Sequence, residues 1–128
     1  MHRLTLLIAL AAVALAAESR REERFFDKRV APILIKRCVA CHNPELRNGN
    51  LSLLDRESAV QGGGRGPAIV RGNPQASLLV QTLQHTDDLQ MPPGPKLSAR
   101  EIATLTEWIR RGAIWGAKLR VPPPKPLR

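Results

Sequence analysis

Residues 38 to 42 read Cys-Val-Ala-Cys-His and contain the only two cysteines of the chain. C-x-x-C-H is the pattern of covalent haem attachment, because the two intervening residues let one turn of chain offer both sulfurs to the vinyl edges of a porphyrin. His42, next in line, falls under the ring within reach of the iron. The motif therefore asks for a fold that wraps a flat apolar disc. Two rival readings use the same residues. Structural zinc needs four ligands, and only His85 or carboxylates could join Cys38, Cys41 and His42. A dithiol redox motif should follow a strand in a βαβ unit, whereas the segment before Cys38 has a helical pattern. The favoured reading is one haem c bound through Cys38 and Cys41.

The N-terminus agrees with that chemistry. Met1 to Arg3 form a short basic start, Leu4 to Ala17 are apolar except for Thr5, and Ala14-Leu15-Ala16 supplies a small-x-small cleavage signal. Residues 1–17 are read as a secretory signal peptide cut near Ala16 or Ala17. At 14 residues the run falls short of the roughly 20 that span a bilayer, so membrane contact is expected only if the signal is retained. No cysteine stands at the junction to carry a lipid. The expected location is outside the cytoplasmic membrane, in the periplasm or cell envelope of a bacterium, where covalent haem attachment also takes place.

About 110 residues remain, the length of one domain. The chain has two Phe, two Trp and no Tyr, which leaves little bulk for a core. A domain of this size is marginal unless something reinforces it, and a haem would add the missing apolar mass.

The pattern is helical with long loops. From about Glu23 to Arg37 the apolar positions Phe26, Val30, Ile33 and Leu34 fall at i, i+4, i+7 and i+8, one face of a helix. Pro32 interrupts the run, either kinking it or opening a second short helix. Asn43 to Asn50 form a polar loop, Leu51 to Leu53 a brief extended piece, and Asp55 caps a short helix ending at Gly62. Gly62-Gly63-Gly64, Gly66 and Pro67 mark turns; no strand leads in and no G-K-[ST] follows, so phosphate binding is set aside. Asn73-Pro74 reads as N-cap and first residue of a helix running through Leu78, Leu79 and Leu83. Ser98 and Glu101 form a capping box ahead of the stripe Ile102, Leu105, Trp108 and Ile109, which ends at Gly112. Trp108 is expected in the core, against the first helix.

An electron carrier needs a sixth iron ligand. After signal removal Met91 is the only methionine, and His85 the only histidine besides His42. Met91 lies in Leu89-Gln90-Met91-Pro92-Pro93-Gly94, where two prolines stiffen the loop that presents it. His85 stands in the polar run Gln84-His85-Thr86-Asp87-Asp88, better suited to a solvated surface. Met91 is favoured over His85, and an open or water-bound position is the remaining possibility.

Several segments carry a more specific pattern. Phe25-Phe26, Val30-Ala31-Pro32-Ile33-Leu34, the motif itself, Gly49-Asn50-Leu51-Ser52-Leu53, Gly66 to Val70, Gly72-Asn73-Pro74, Ser77-Leu78-Leu79, Met91-Pro92-Pro93, Leu97-Ser98 through Trp108-Ile109 and Gly112-Ala113-Ile114-Trp115 follow in order. Together they look like the cytochrome c domain of planctomycete and acidobacterial envelope proteins, over about Phe25 to Trp115. The resemblance implies an all-α, class I cytochrome c fold whose terminal helices cross with the haem between them. It also implies that Cys38 and Cys41 carry the haem, with His42 as proximal ligand and Met91 as distal ligand. In that group the domain commonly begins a longer chain, so this one is read as either a stand-alone cytochrome or an N-terminal module. The expected division is a signal at 1–17, a haem domain at 23–115 and a proline-rich basic tail or linker at 116–128.

Three functions from different classes follow. The first is a monohaem electron carrier: iron held on both faces does not readily bind substrate, and axial methionine raises its potential. The second is a sensor or small-ligand module with an open or displaceable sixth position. The third is a haem-free protein using Cys38 and Cys41 as a thiol pair. The carrier is preferred, as a non-enzyme and a monomer. The formal charge is +9, or +8 once Arg3 leaves, which suits redox partners with acidic docking faces. Nucleic acid is not an expected partner of an exported chain with so few aromatics.

Overall fold

One helical run carries the chain from its second residue to the edge of the cysteine motif, and its hydrogen-bond register changes on the way. The computed structural model describes residues 1–119. Helix α1 spans His2–Phe25, a single wide π turn spans Phe26–Val30, and α2 spans Ala31–Arg37. Pro32 explains the wide turn. It lacks an N–H, and its ring crowds the carbonyl four residues earlier, so an α register cannot pass through unchanged. The Ala31 N–H instead reaches back five residues to the Phe26 carbonyl, which opens the turn. The register shift still buries Phe26, Val30 and Leu34 and leaves Pro32 exposed.

No residue before Glu22 is even half-buried. The apolar first part of α1 therefore contributes nothing to the packing of the rest. Among the described residues the run His2–Arg37 is one helix long and apolar enough to cross a membrane.

The fold is all-α, with no strand among the described residues. Helix α3 (Arg56–Gln61) is short and begins where expected: Asp55 Oδ1 accepts the Ser58 N–H at 2.8 Å. Helix α4 (Leu78–Leu83) starts later than the Asn73-Pro74 signal predicts. Asn73 Oδ1 does accept the Ala76 N–H at 3.2 Å, but it closes one turn only. Ser77 then takes an extended backbone, and its fully buried hydroxyl accepts from Val70 N and donates to the Asn73 carbonyl. A serine tied to neighbouring backbone in this way stops the helix and restarts it as the cap of α4.

Helix α5 (Ala99–Arg110) carries the complete capping box, with Ser98 N–H on Glu101 and Glu101 N–H on Ser98. Its stripe buries Leu105, Trp108 and Ile109 against the π turn. Phe26, Trp108 and Trp115 form a three-ring cluster with centroids 4.7 to 5.5 Å apart. Trp108 Nε1 donates to the Ile114 carbonyl, so its one polar group is satisfied in the core.

The segment after Trp115 turns back along α1. Lys118 N–H donates to Asp27 Oδ1 at 2.9 Å, and Leu119 packs on the core. Gly116 lies so close to α1 that a Cβ there would stand 2.6 Å from the Glu23 carbonyl oxygen. The first residues of the expected tail or linker are thus packed, and residues 120–128 of it lie outside the described residues.

Candidate haem site

The cysteine motif forms a compact turn off the end of α2. Cys38 and Val39 both donate to the Leu34 carbonyl, and Cys41 and His42 both donate to the Cys38 carbonyl at 3.2 and 3.1 Å. Asn43 fastens this turn from beneath. Its side chain donates to the carbonyls of Val39 and Ala40 and accepts from the amides of Glu45 and Leu46, all within 3.1 Å. The His42 carbonyl is held in turn by the Leu53 N–H at 2.9 Å. The extended piece at Leu51 to Leu53 has a use here, as the strut against which the motif leans.

Cys38, Cys41, His42 and Met91 all line one cavity of about 1040 Å³, counted to its open mouth. Most of its wall is aliphatic, including Leu51, Leu53, Leu79 and Leu83, with Pro92 and Pro93 following Met91. His42 and Met91 are 49 positions apart in sequence, so only the fold brings them to a common space. His85 is not part of the lining.

These residues suit a haem on grounds visible in the chain itself. His42 lines the cavity, and its Nδ1 is buried without a partner among the described residues. Both cysteines are free thiols, Cys41 exposed and Cys38 half-buried. Burial pushes the Cys38 thiol up to about 11, only partly offset by the nearby Arg37 charge. A thiol so reluctant to ionise makes Cys38 itself a poor nucleophile for disulfide exchange. No cluster of three or more metal-ligating His, Cys, Asp or Glu occurs among the described residues, and a zinc reading has no support in the geometry.

The glycine-rich stretch, read from sequence as loop geometry, supplies a wall of the cavity. Gly63 and Gly66 bond to each other in both directions, and Gly64 N–H reaches the Gly49 carbonyl at 3.1 Å. A Cβ on Gly63 would stand 2.3 Å from the Gly49 oxygen. Glycine is required there because two backbone segments touch.

His85 occupies a place that sequence reasoning did not foresee. It is half-buried, and its Nε2 lies 2.9 Å from the Met91 carbonyl oxygen, to which it donates. Asn43 was likewise hidden inside a polar loop. In both cases the partner is a backbone carbonyl, which leaves no mark on composition or periodicity.

An all-helical domain that gathers a C-x-x-C-H turn and a methionine loop around one apolar cavity has the architecture of a c-type cytochrome. Residues 38–95 match the family model described as Planctomycete cytochrome C, a match that supports a planctomycete-type cytochrome c domain. That family implies a covalently bound haem c. No curated protein and no solved structure matches the chain.

Proposed function

We propose that this protein is a monohaem c-type cytochrome that carries single electrons outside the cytoplasmic membrane. The observation that supports it most is the shared cavity, which takes Cys38, Cys41 and His42 from one segment and Met91 from another. When bound, the haem supplies a one-electron ferrous/ferric couple whose potential is set by axial ligands and surroundings. Cys38 and Cys41 would fix it covalently, His42 would offer its imidazole on one face, and Met91 its thioether on the other. The aliphatic wall keeps water and bulk dielectric away from the site, and the prolines after Met91 limit how far the loop can swing. A site closed on both faces favours electron transfer over substrate chemistry.

The apolar start of α1 fits a signal peptide or membrane anchor, which supports a location outside the cytoplasm. The +9 formal charge favours partners with acidic docking faces, whose association rates should fall steeply with salt.

The test is the absorption spectrum of protein matured with haem-attachment machinery. The carrier reading expects a red protein with the mass of one added haem, a ferric long-wavelength band of iron–sulfur ligation, and hindered binding of carbon monoxide to the reduced form. A colourless product of bare-chain mass would defeat any haem function. A red product with no sulfur band and free carbon monoxide binding would make it a ligand-binding module. Met91→Ala should lose the band and lower the potential.

A further inference from the structure

We propose that His85 is the positioning residue that holds Met91 at the cavity. The inference rests on the reading of Met91 as distal ligand. Between Thr82 and Met91 the chain leaves the core, exposes Thr86 to Asp88, and returns. On its return both backbone polar groups of Met91 are taken. The amide donates to the Thr82 carbonyl at 3.1 Å, and the carbonyl accepts from His85 Nε2 at 2.9 Å. Thr82 is buried in the last turn of α4, with its own hydroxyl on the Leu79 carbonyl, so the first of these anchors is part of the core. The second depends on His85 alone.

The local backbone is shaped to make that contact. His85 has φ of +55°, a left-handed conformation uncommon outside glycine but enriched in Asn, Asp and His. Its own carbonyl accepts from Gln90 Nε2 at 3.2 Å, which ties the two ends of the excursion together. The ring is thereby turned inward to the Met91 carbonyl. Pro92 and Pro93 have no N–H, so the residues immediately after Met91 offer that carbonyl no donor. The donor that this carbonyl has is a side chain from upstream, that of His85.

Losing one such bond should shift the balance between held and released methionine by roughly five- to tenfold. Two holoprotein variants separate positioning from bulk effects. His85→Asn tolerates the left-handed backbone but is too short to reach the carbonyl; His85→Gln places an amide nitrogen near the original Nε2. The expected result is that His85→Asn weakens the ferric sulfur band and speeds carbon monoxide binding to the ferrous form about five- to tenfold, with helical circular dichroism unchanged. His85→Gln should recover most of both. If His85→Asn matches wild type in band and rate, or if His85→Gln is as impaired as His85→Asn, the proposal is wrong. A wild-type protein without the sulfur band would overturn the ligand reading and this one with it. A wild-type band that Met91→Ala removes and His85→Asn leaves intact overturns the positioning role alone.

Discussion

Glu22 and Arg111 stand 89 positions apart and clamp the last free turn of α1 to the end of α5. Arg111 Nε meets Oε2 at 2.9 Å and Nη2 meets Oε1 at 2.7 Å, a bidentate fork, and the guanidinium lies 4.1 Å over the Phe25 ring. The side chains are only 26% and 16% exposed. Freely exposed pairs couple by about 0.2–1 kcal/mol, whereas hydrogen bonds to charged groups reach about 1.5–3 kcal/mol. A two-bond fork partly out of water belongs between these, at about 1.5 kcal/mol. Arg111→Ala also loses the contact with Phe25, worth about 0.5–1 kcal/mol, for a total near 2–2.5 kcal/mol. Glu22→Ala should cost about 1.5 kcal/mol, and the double variant little more than Arg111→Ala alone.

Urea unfolding of the four holoproteins measures that cycle. In a domain of roughly 100 residues each kcal/mol corresponds to about 4–8 °C in Tm, so the effects are well resolved. Repeating the cycle in 1 M salt, where the Debye length is about 3 Å, should reduce the coupling without abolishing it, because the fork is in direct contact and shielded. A coupling below about 0.3 kcal/mol at low salt would refute the argument that partial burial and bidentate geometry lift this pair above an ordinary surface pair. A coupling that disappears in salt would show that the fork is not shielded in solution.

Asn43→Ala removes four hydrogen bonds from a buried position under the motif and should cost about 2–3 kcal/mol in urea melts, with a lower yield of haem-loaded protein. Gly63→Ala forces a methyl group against the Gly49 carbonyl and should cost at least about 2 kcal/mol, while Gly64→Ala, whose Cβ would have 3.9 Å of clearance, should stay within about 0.5 kcal/mol. The Ser98 backbone N–H holds the Glu101 carboxyl below its ordinary 4.5, so that carboxylate stabilises the fold fully above pH 4.5 and progressively less as the pH falls through its depressed folded value. The stability gap between wild type and Glu101→Ala should therefore be widest at neutral pH and narrow below 4.5; a gap that stays constant into acid would contradict it.

The parts of the fold that were legible in the sequence are those where one local interaction decides. The capping box at Ser98 and Glu101, the Asp55 cap and the Gly112 stop of α5 each depend on residues within a turn of one another. The stripes of the first and last helices likewise predicted the buried faces, with Ile33 and Ile102 only half-buried at their margins. Where two local answers were equally good, tertiary contacts chose. Pro32 allowed a kink or a fresh helix, and the chain opens the second short helix, α2, with Pro32 in its first turn, after a widened turn in which Phe26 meets both tryptophans. Asn73-Pro74 is a sound helix start, but the buried Ser77 hydroxyl ended that helix after one turn. The anchoring roles of Asn43 and His85 were out of reach, because a hydrogen bond to a carbonyl produces no periodic signal.

The anchors share a logic. The two segments that supply candidate ligands are loops, and loops hold a geometry poorly unless something else fixes them. Here each loop is fixed by side chains bonded to its backbone: Asn43 beneath the motif turn, His85 behind Met91. One residue joins the two systems. Arg37, immediately before Cys38, sends Nη2 across to the Pro95 carbonyl at 2.6 Å, linking the last turn of α2 to the far end of the methionine loop. Neither loop packs its own core, so core substitutions and anchor substitutions should separate experimentally. Changes at Phe26 or Trp108 act first on stability, and Asn43 on both stability and the motif turn, whereas changes at His85 or Arg37 act on how well the motif turn and Met91 face the same space. Arg37→Leu is the sharpest case. It keeps the aliphatic bulk, severs the cross-link, and should broaden or weaken the ferric sulfur band at temperatures well below unfolding; a band unchanged up to the unfolding transition would mean that each loop is held by its own anchor alone.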